Sequence, residues 1–125
     1  MSLQGAVLVI VVVCALSPLT SAYWGDATWY NTGLGACGWW NNNGELVAAV
    51  SHVEYGWQAN PNTAPVCGKC ANVRADSNGN QVKVKIVDKC MGCNSGSIDL
   101  SPAAFGRLAS LDAGRIKVSW DYVWC

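Results

Sequence analysis

Apolar and polar side chains alternate along Val82-Lys83-Val84-Lys85-Ile86 and again along Ile116-Lys117-Val118-Ser119-Trp120-Asp121-Tyr122. A two-residue period of this kind predicts strands that each bury one face, with Lys83, Lys85 and Lys117 on the outer side. Asn78-Gly79 precedes the first stretch and predicts a hairpin that pairs it with Ala71-Asn72-Val73-Arg74-Ala75. Asp26-Ala27-Thr28-Trp29-Tyr30 and Leu46-Val47-Ala48-Ala49-Val50 read as two further strands. A single helix is expected, with Ser101 as N-cap and Pro102 in its first turn, running through Ala103-Ala104-Phe105-Gly106-Arg107-Leu108-Ala109. The fold class is therefore all-β with one short helix, and closure into a barrel is the natural way to leave no open strand edge.

The N-terminus breaks this pattern. An uninterrupted apolar run over residues 6–16 leads into Ser17-Pro18-Leu19-Thr20-Ser21-Ala22, which predicts a secretory signal peptide over residues 1–22. The run is shorter than the roughly 20 residues needed to cross a bilayer, so no membrane anchor is expected. No Lys or Arg precedes it, which leaves the amino group as its positive end. Residues 23–125 then form one small domain of about a hundred residues, expected to be secreted and monomeric.

Cys14 falls within the leader, leaving Cys37, Cys67, Cys70, Cys90, Cys93 and Cys125. Cys67-x-x-Cys70 followed by Cys90-x-x-Cys93 has the spacing of a zinc ribbon, but a secreted chain with a further pair of cysteines favours disulfides. No metal and no cofactor are expected, and spacing alone does not choose the pairing. Eight basic residues balance eight acidic ones with no run of either sign, so nucleic acid and anionic membranes are not expected partners. The seven tryptophans exceed what so small a core holds, and some are expected to face a ligand.

The chemistry concentrates in Val87-Asp88-Lys89-Cys90-Met91-Gly92-Cys93 and in Ser97-Ile98-Asp99-Leu100-Ser101-Pro102-Ala103-Ala104-Phe105. Asp99 lies just ahead of the helix. Unpaired N–H groups there favour its carboxylate, whereas burial between Ile98 and Leu100 favours its acid form, and the sequence leaves the two in balance. His52 is the single histidine and would have to serve any Ser or Cys nucleophile, a poor inventory for such catalysis. Glu45 and Glu54 read as solvated acids in turns, and Asn41-Asn42-Asn43-Gly44 as an exposed turn.

Ala27-Thr28-Trp29-Tyr30, Cys67-Gly68-Lys69-Cys70, Val84-Lys85-Ile86-Val87-Asp88, Ile98-Asp99-Leu100-Ser101-Pro102-Ala103-Ala104-Phe105 and Gly114-Arg115-Ile116-Lys117-Val118 follow one another in an order that resembles the expansin, barwin and rare lipoprotein A group. The similarity is strongest to the single-domain fungal loosenins. It implies a six-stranded double-psi β-barrel with an open groove that binds cell-wall polysaccharide (cellulose, chitin or peptidoglycan) and loosens it without hydrolysis. The groove residues it implies are Asp99, Asp88, Thr28 and Tyr30, the last two on one face of their strand. Cys90 stands where expansins carry a groove Tyr, which leaves Trp39, Trp40 and Trp57 as candidate sugar platforms. The resemblance also implies disulfides Cys37–Cys67 and Cys70–Cys125, with Cys90 closing on Cys93.

Family 45 endoglucanases are similar in fold and use two carboxylates, of which the base position falls on Asn31 when the chains are aligned at Cys37-Gly38-Trp39. An inverting glycosidase needs both groups, and Asn accepts no proton at neutral pH. Asp99 is thus acid-like without a confirmed catalytic role, although Asp26 lies near enough to substitute as base. The alternatives are a barwin-like defence module or an inhibitor of papain-type cysteine proteases, acting through the loops at 41–44 or 56–65, and a lytic transglycosylase or endoglucanase-like enzyme.

Overall fold

The computed structural model describes residues 21–125, so the predicted signal peptide lies outside the described residues apart from Ser21 and Ala22. Six strands, β1 (Tyr23–Trp29), β2 (Val47–Ser51), β3 (Cys70–Ala75), β4 (Gln81–Cys90), β5 (Ile98–Leu100) and β6 (Arg115–Val123), close into a barrel in the order β1-β5-β2-β4-β3-β6. The pairs β1·β5 and β2·β4 are parallel, and the other four are antiparallel. Two helices accompany them, α1 (His52–Tyr55) and α2 (Pro102–Leu108).

The alternation in β4 works as its sequence predicts: Val82, Val84 and Ile86 are buried while Lys83 and Lys85 are exposed. Trp120, Phe105, Ile98, Leu100, Leu108 and Val50 complete a fully buried core. Burying a side chain of this size contributes about 1.5–3 kcal/mol. Trp120 stacks on Tyr23 at 4.2 Å between ring centroids, and its indole N–H donates to the Gly96 carbonyl at 2.9 Å, so the ring is buried without an orphaned donor.

Three departures from the sequence reading matter. The first is β5, which the sequence pattern did not show because three residues are too few for a period, and Asp99 just ahead of the helix lies in this strand. The second is α1, a single turn capped by Ser51, whose side chain accepts from the Val53 N–H at 3.1 Å. That turn corrects the reading of Glu54 as a solvated turn acid. Its Oε1 accepts from Ser95 Oγ at 2.8 Å and from the Gly96 N–H at 2.7 Å, pinning α1 to the loop before β5. Glu45, by contrast, is an exposed acid that closes the 41–45 turn by accepting from Asn41 Nδ2 and the Asn42 N–H.

The third departure is a bulge. β2 pairs with β4 as Val47↔Lys85 and Ala48↔Ile86, then skips to Ala49↔Asp88. Val87 is the extra residue, and both Ile86 and Val87 are buried. A bulge reverses the phase of a strand beyond it, so Asp88 emerges on the outer face where strict alternation would bury it. Disulfides Cys37–Cys67, Cys70–Cys125 and Cys90–Cys93 fasten the long β1–β2 loop, the C-terminus and the turn after β4.

Candidate functional site

Pairing across four adjacent strands sets Thr28, Asp99, Ala49 and Asp88 in one row. Thr28 lies opposite Asp99, Asp99 opposite Ala49, and Ala49 opposite Asp88. Ala48 and Val50 point into the core, so Ala49 faces outward, and its neighbours in the row share that face. Ala49, itself buried, separates two acids whose backbones stand two strand spacings apart, roughly 9–10 Å.

Thr28 Oγ1 donates to Asp99 Oδ1 at 2.9 Å. Even so, the Asp99 carboxyl is pushed above the usual aspartate range. Burial is the largest cause and the Asp88 charge adds to it, against the opposing pull of the Thr28 hydrogen bond and Arg115. The balance left open by the sequence thus falls to burial. The helix start offers Asp99 little help because its first N–H groups have other acceptors: Ala104 donates to Ser101 Oγ at 3.2 Å and Ala103 to the Asn43 carbonyl at 3.1 Å.

Asp88 is held differently. Its Oδ1 accepts from the Ala36 N–H and from its neighbour Lys89 N–H, both at 2.8 Å. The first of these bonds depends on the loop after β1 approaching the bulge closely. Gly35 makes that approach possible, since a Cβ there would collide with the Val87 carbonyl and lie 3.2 Å from Asp88 Cβ. The Val87 carbonyl, released from the ladder by the bulge, accepts from the Cys37 N–H at 3.2 Å.

Tyr30 extends β1 beyond Trp29, its N–H donating to the Leu100 carbonyl at 3.0 Å. Burial first, and then the charges of Asp88 and Asp99, drive its phenol well above the ordinary tyrosine range, so it stands neutral beside both acids. Trp39 is 41 % exposed and lies under the Lys85 ammonium, 4.6 Å from the ring centroid. Lys85 occupies the next outward row of β4, so Trp39 borders the acid row. Trp40 bridges to Leu34 in the same loop and is strongly exposed. Trp57 is exposed too, but it follows α1, which Ser51 and Glu54 tie to the 93–96 segment. Cys90, bonded to Cys93, fills the position beyond Asp88 with no ring.

Asn31 and Asp26, the positions weighed against the endoglucanase base, both have partners within the fold. Asn31 Oδ1 accepts from Asn43 Nδ2 at 3.1 Å. Asp26, also on β1, is ion-paired with Lys117 at 2.6 Å and Arg115 at 3.0 Å, and these two cations hold its carboxyl below the usual range. A carboxylate so stabilised is a weak base.

The profile of a double-psi β-barrel family described as lytic transglycolase matches residues 23–120. The chain belongs to that family. Among curated relatives it is 33% identical over 108 residues to a papain inhibitor of Streptomyces mobaraensis, covering 85% of this chain and 75% of the relative. It is 34% identical over 122 residues to an EG45-like domain containing protein of Citrus jambhiri, covering 87% and 88%. Among solved structures, an expansin of Clavibacter michiganensis in complex with cellohexaose superposes with a TM-score of 0.68 at 31% identity, over 81% of this chain and 50% of that one. The barrel, its six strands and its one sizeable helix are those expected of the family.

Two parts of the site escaped the sequence reading. Ala49 carries no chemistry and is visible only through register. The bulge had a signal, because Ile86-Val87 are consecutive apolar residues that break an otherwise regular alternation.

Proposed function

We propose that the protein is a secreted, expansin-like binder that holds a cell-wall polysaccharide chain along the Thr28–Asp99–Ala49–Asp88 row and loosens its contacts without hydrolysis. The row itself carries the reading: an acid whose pKa burial raises, a second acid two strands away, and a small buried alanine between them. Neutral Tyr30 and the indole of Trp39 flank it as partners for sugar hydroxyls and sugar faces. The acid of a glycosidase is present in Asp99, while the base is missing, since Asn31 is held by Asn43 and Asp26 is neutralised by Lys117 and Arg115. The complex of the related expansin with cellohexaose supports cellulose as the first ligand to try.

The test pairs a pull-down on insoluble cellulose and chitin with an assay for soluble sugar. The expected result is binding that Asp99→Ala and Trp39→Ala weaken, with no sugar released. Soluble product abolished by Asp99→Asn would replace the loosening reading with a lytic one, including cleavage of peptidoglycan. A second reading is inhibition of papain-type proteases, supported by the identity to the Streptomyces inhibitor. Titration against papain separates the two, because inhibition untouched by Asp99→Ala would place function in the loops at 41–44 or 56–65.

A further inference from the structure

The barrel wall opposite β5 and β2, formed by β6 and β3, carries features that the acid row does not use. Trp24 in β1 lies opposite Ser119 in β6, which lies opposite Arg74 in β3, which lies opposite Gln81 in β4. One outward step further along are Asp121 and Asn72. A concavity bordered also by Ser21, at the end of the predicted signal peptide, opens over these residues, and a second of 420 Å³ continues from it past Tyr122 and Val123 to Trp124. Trp24 is 64% exposed and Trp124 is 95% exposed.

Both indoles stand on fixed backbone. Trp24 is in the middle of a paired strand. Trp124 precedes Cys125, which is bonded to Cys70, and Lys83 Nζ donates to the carbonyls of Trp124 at 3.0 Å and Cys125 at 2.8 Å. Leaving so much indole in water on a rigid frame is costly, and it makes sense where a flat partner covers it. The polar groups between the rings are a hydroxyl, two amides, a guanidinium and a carboxylate, a mixture suited to hydroxyl groups. Arg74 and Asp121 carry opposite charges, while the Lys83 ammonium is turned onto the Trp124 and Cys125 carbonyls and the Lys69 ammonium lies over the Tyr122 ring, 5.3 Å from its centroid, so both lysines are engaged by the wall's own groups.

We propose that this wall is a second polysaccharide-binding surface, on which Trp24 and Trp124 stack on the sugar faces of one neutral glucan chain while Asn72, Gln81 and Arg74 bond its hydroxyls. From Ser119, beside Trp24, to Val123, the residue before Trp124, is about 13 Å along β6, the span of a short oligosaccharide. The inference takes its ligand class from the reading above and adds a second place to hold it. Because the acid row is centred on β5 and β2 and this surface on β6 and β3, one molecule can engage two chains at once.

The test compares wild type, Asp99→Ala and the double variant Trp24→Ala/Trp124→Ala for binding to insoluble cellulose, with fluorescence titration by cellohexaose and a melting curve for each. The double variant is expected to bind about tenfold more weakly with an unchanged Tm, and the Trp24→Tyr/Trp124→Tyr variant to recover most of the loss. Wild-type affinity in the double variant, with Asp99→Ala weakened, overturns the second surface and leaves the acid row standing. A wild type that binds no polysaccharide overturns both.

Discussion

The Thr28 hydroxyl reaches Asp99 across the parallel β1·β5 pair and donates to the carboxyl at 2.9 Å. This bond favours the charged form of an acid whose pKa burial raises. Thr28→Val keeps the shape of the side chain and deletes the donor. The Asp99 pKa is expected to rise further, and stability to fall by about 1 kcal/mol. Carboxyl-carbon NMR titration reads the first effect, and an unmoved or lowered Asp99 pKa would contradict the described balance.

The same raised pKa fixes a pH dependence. Between the unfolded value of 3.8 and the higher folded one, the native state binds more protons than the unfolded chain. Asp99 therefore contributes its stability in the acid form, and the contribution is lost as pH rises through the folded pKa. Asp99→Asn removes this slope, so its Tm relative to wild type should climb between pH 4 and pH 7. Parallel melting curves across that range would show that Asp99 is not raised.

Gly35 is the contact point between the β1–β2 loop and the bulge. Gly35→Ala forces a Cβ against the Val87 carbonyl and must push the loop away. The Ala36 N–H bond to Asp88 lengthens with it. A loss of about 1–3 kcal/mol is expected, together with weaker polysaccharide binding. Gly33→Ala, in the same loop but with open space around it, serves as the control and should be nearly neutral.

How much of this was legible in the sequence differs by level. The long strands announced themselves because β4 and β6 alternate over enough residues for a period to show, and Ser101-Pro102 marked the helix start. β5 could not, since three residues carry no period. The acids were visible as residue types in telling places, yet their relation was not. The row depends on which residue of β2 falls between Asp88 and Asp99, and that in turn depends on one extra residue at Val87. Burial of Asp99 likewise reflects the packed strands and not its neighbours in sequence. Glu54 was misread because its partners, Ser95 and Gly96, lie more than forty residues away.

The disulfides differ in the length of chain they close, and the cost of losing them should follow. Cys70–Cys125 spans 55 residues and Cys90–Cys93 spans 3. Closing the longer loop restricts the unfolded chain more, about 4 kcal/mol against about 2 kcal/mol in the chain-entropy account. Cys70→Ser/Cys125→Ser should therefore lower Tm well beyond Cys90→Ser/Cys93→Ser, and it should also free the strand end that carries Trp124. The shorter bond sits just past Asp88, so its removal is expected to act on ligand binding more than on melting. Urea unfolding of the two double variants checks the order. A larger loss from opening Cys90–Cys93 would mean that this turn, and not the C-terminal clamp, holds the barrel closed.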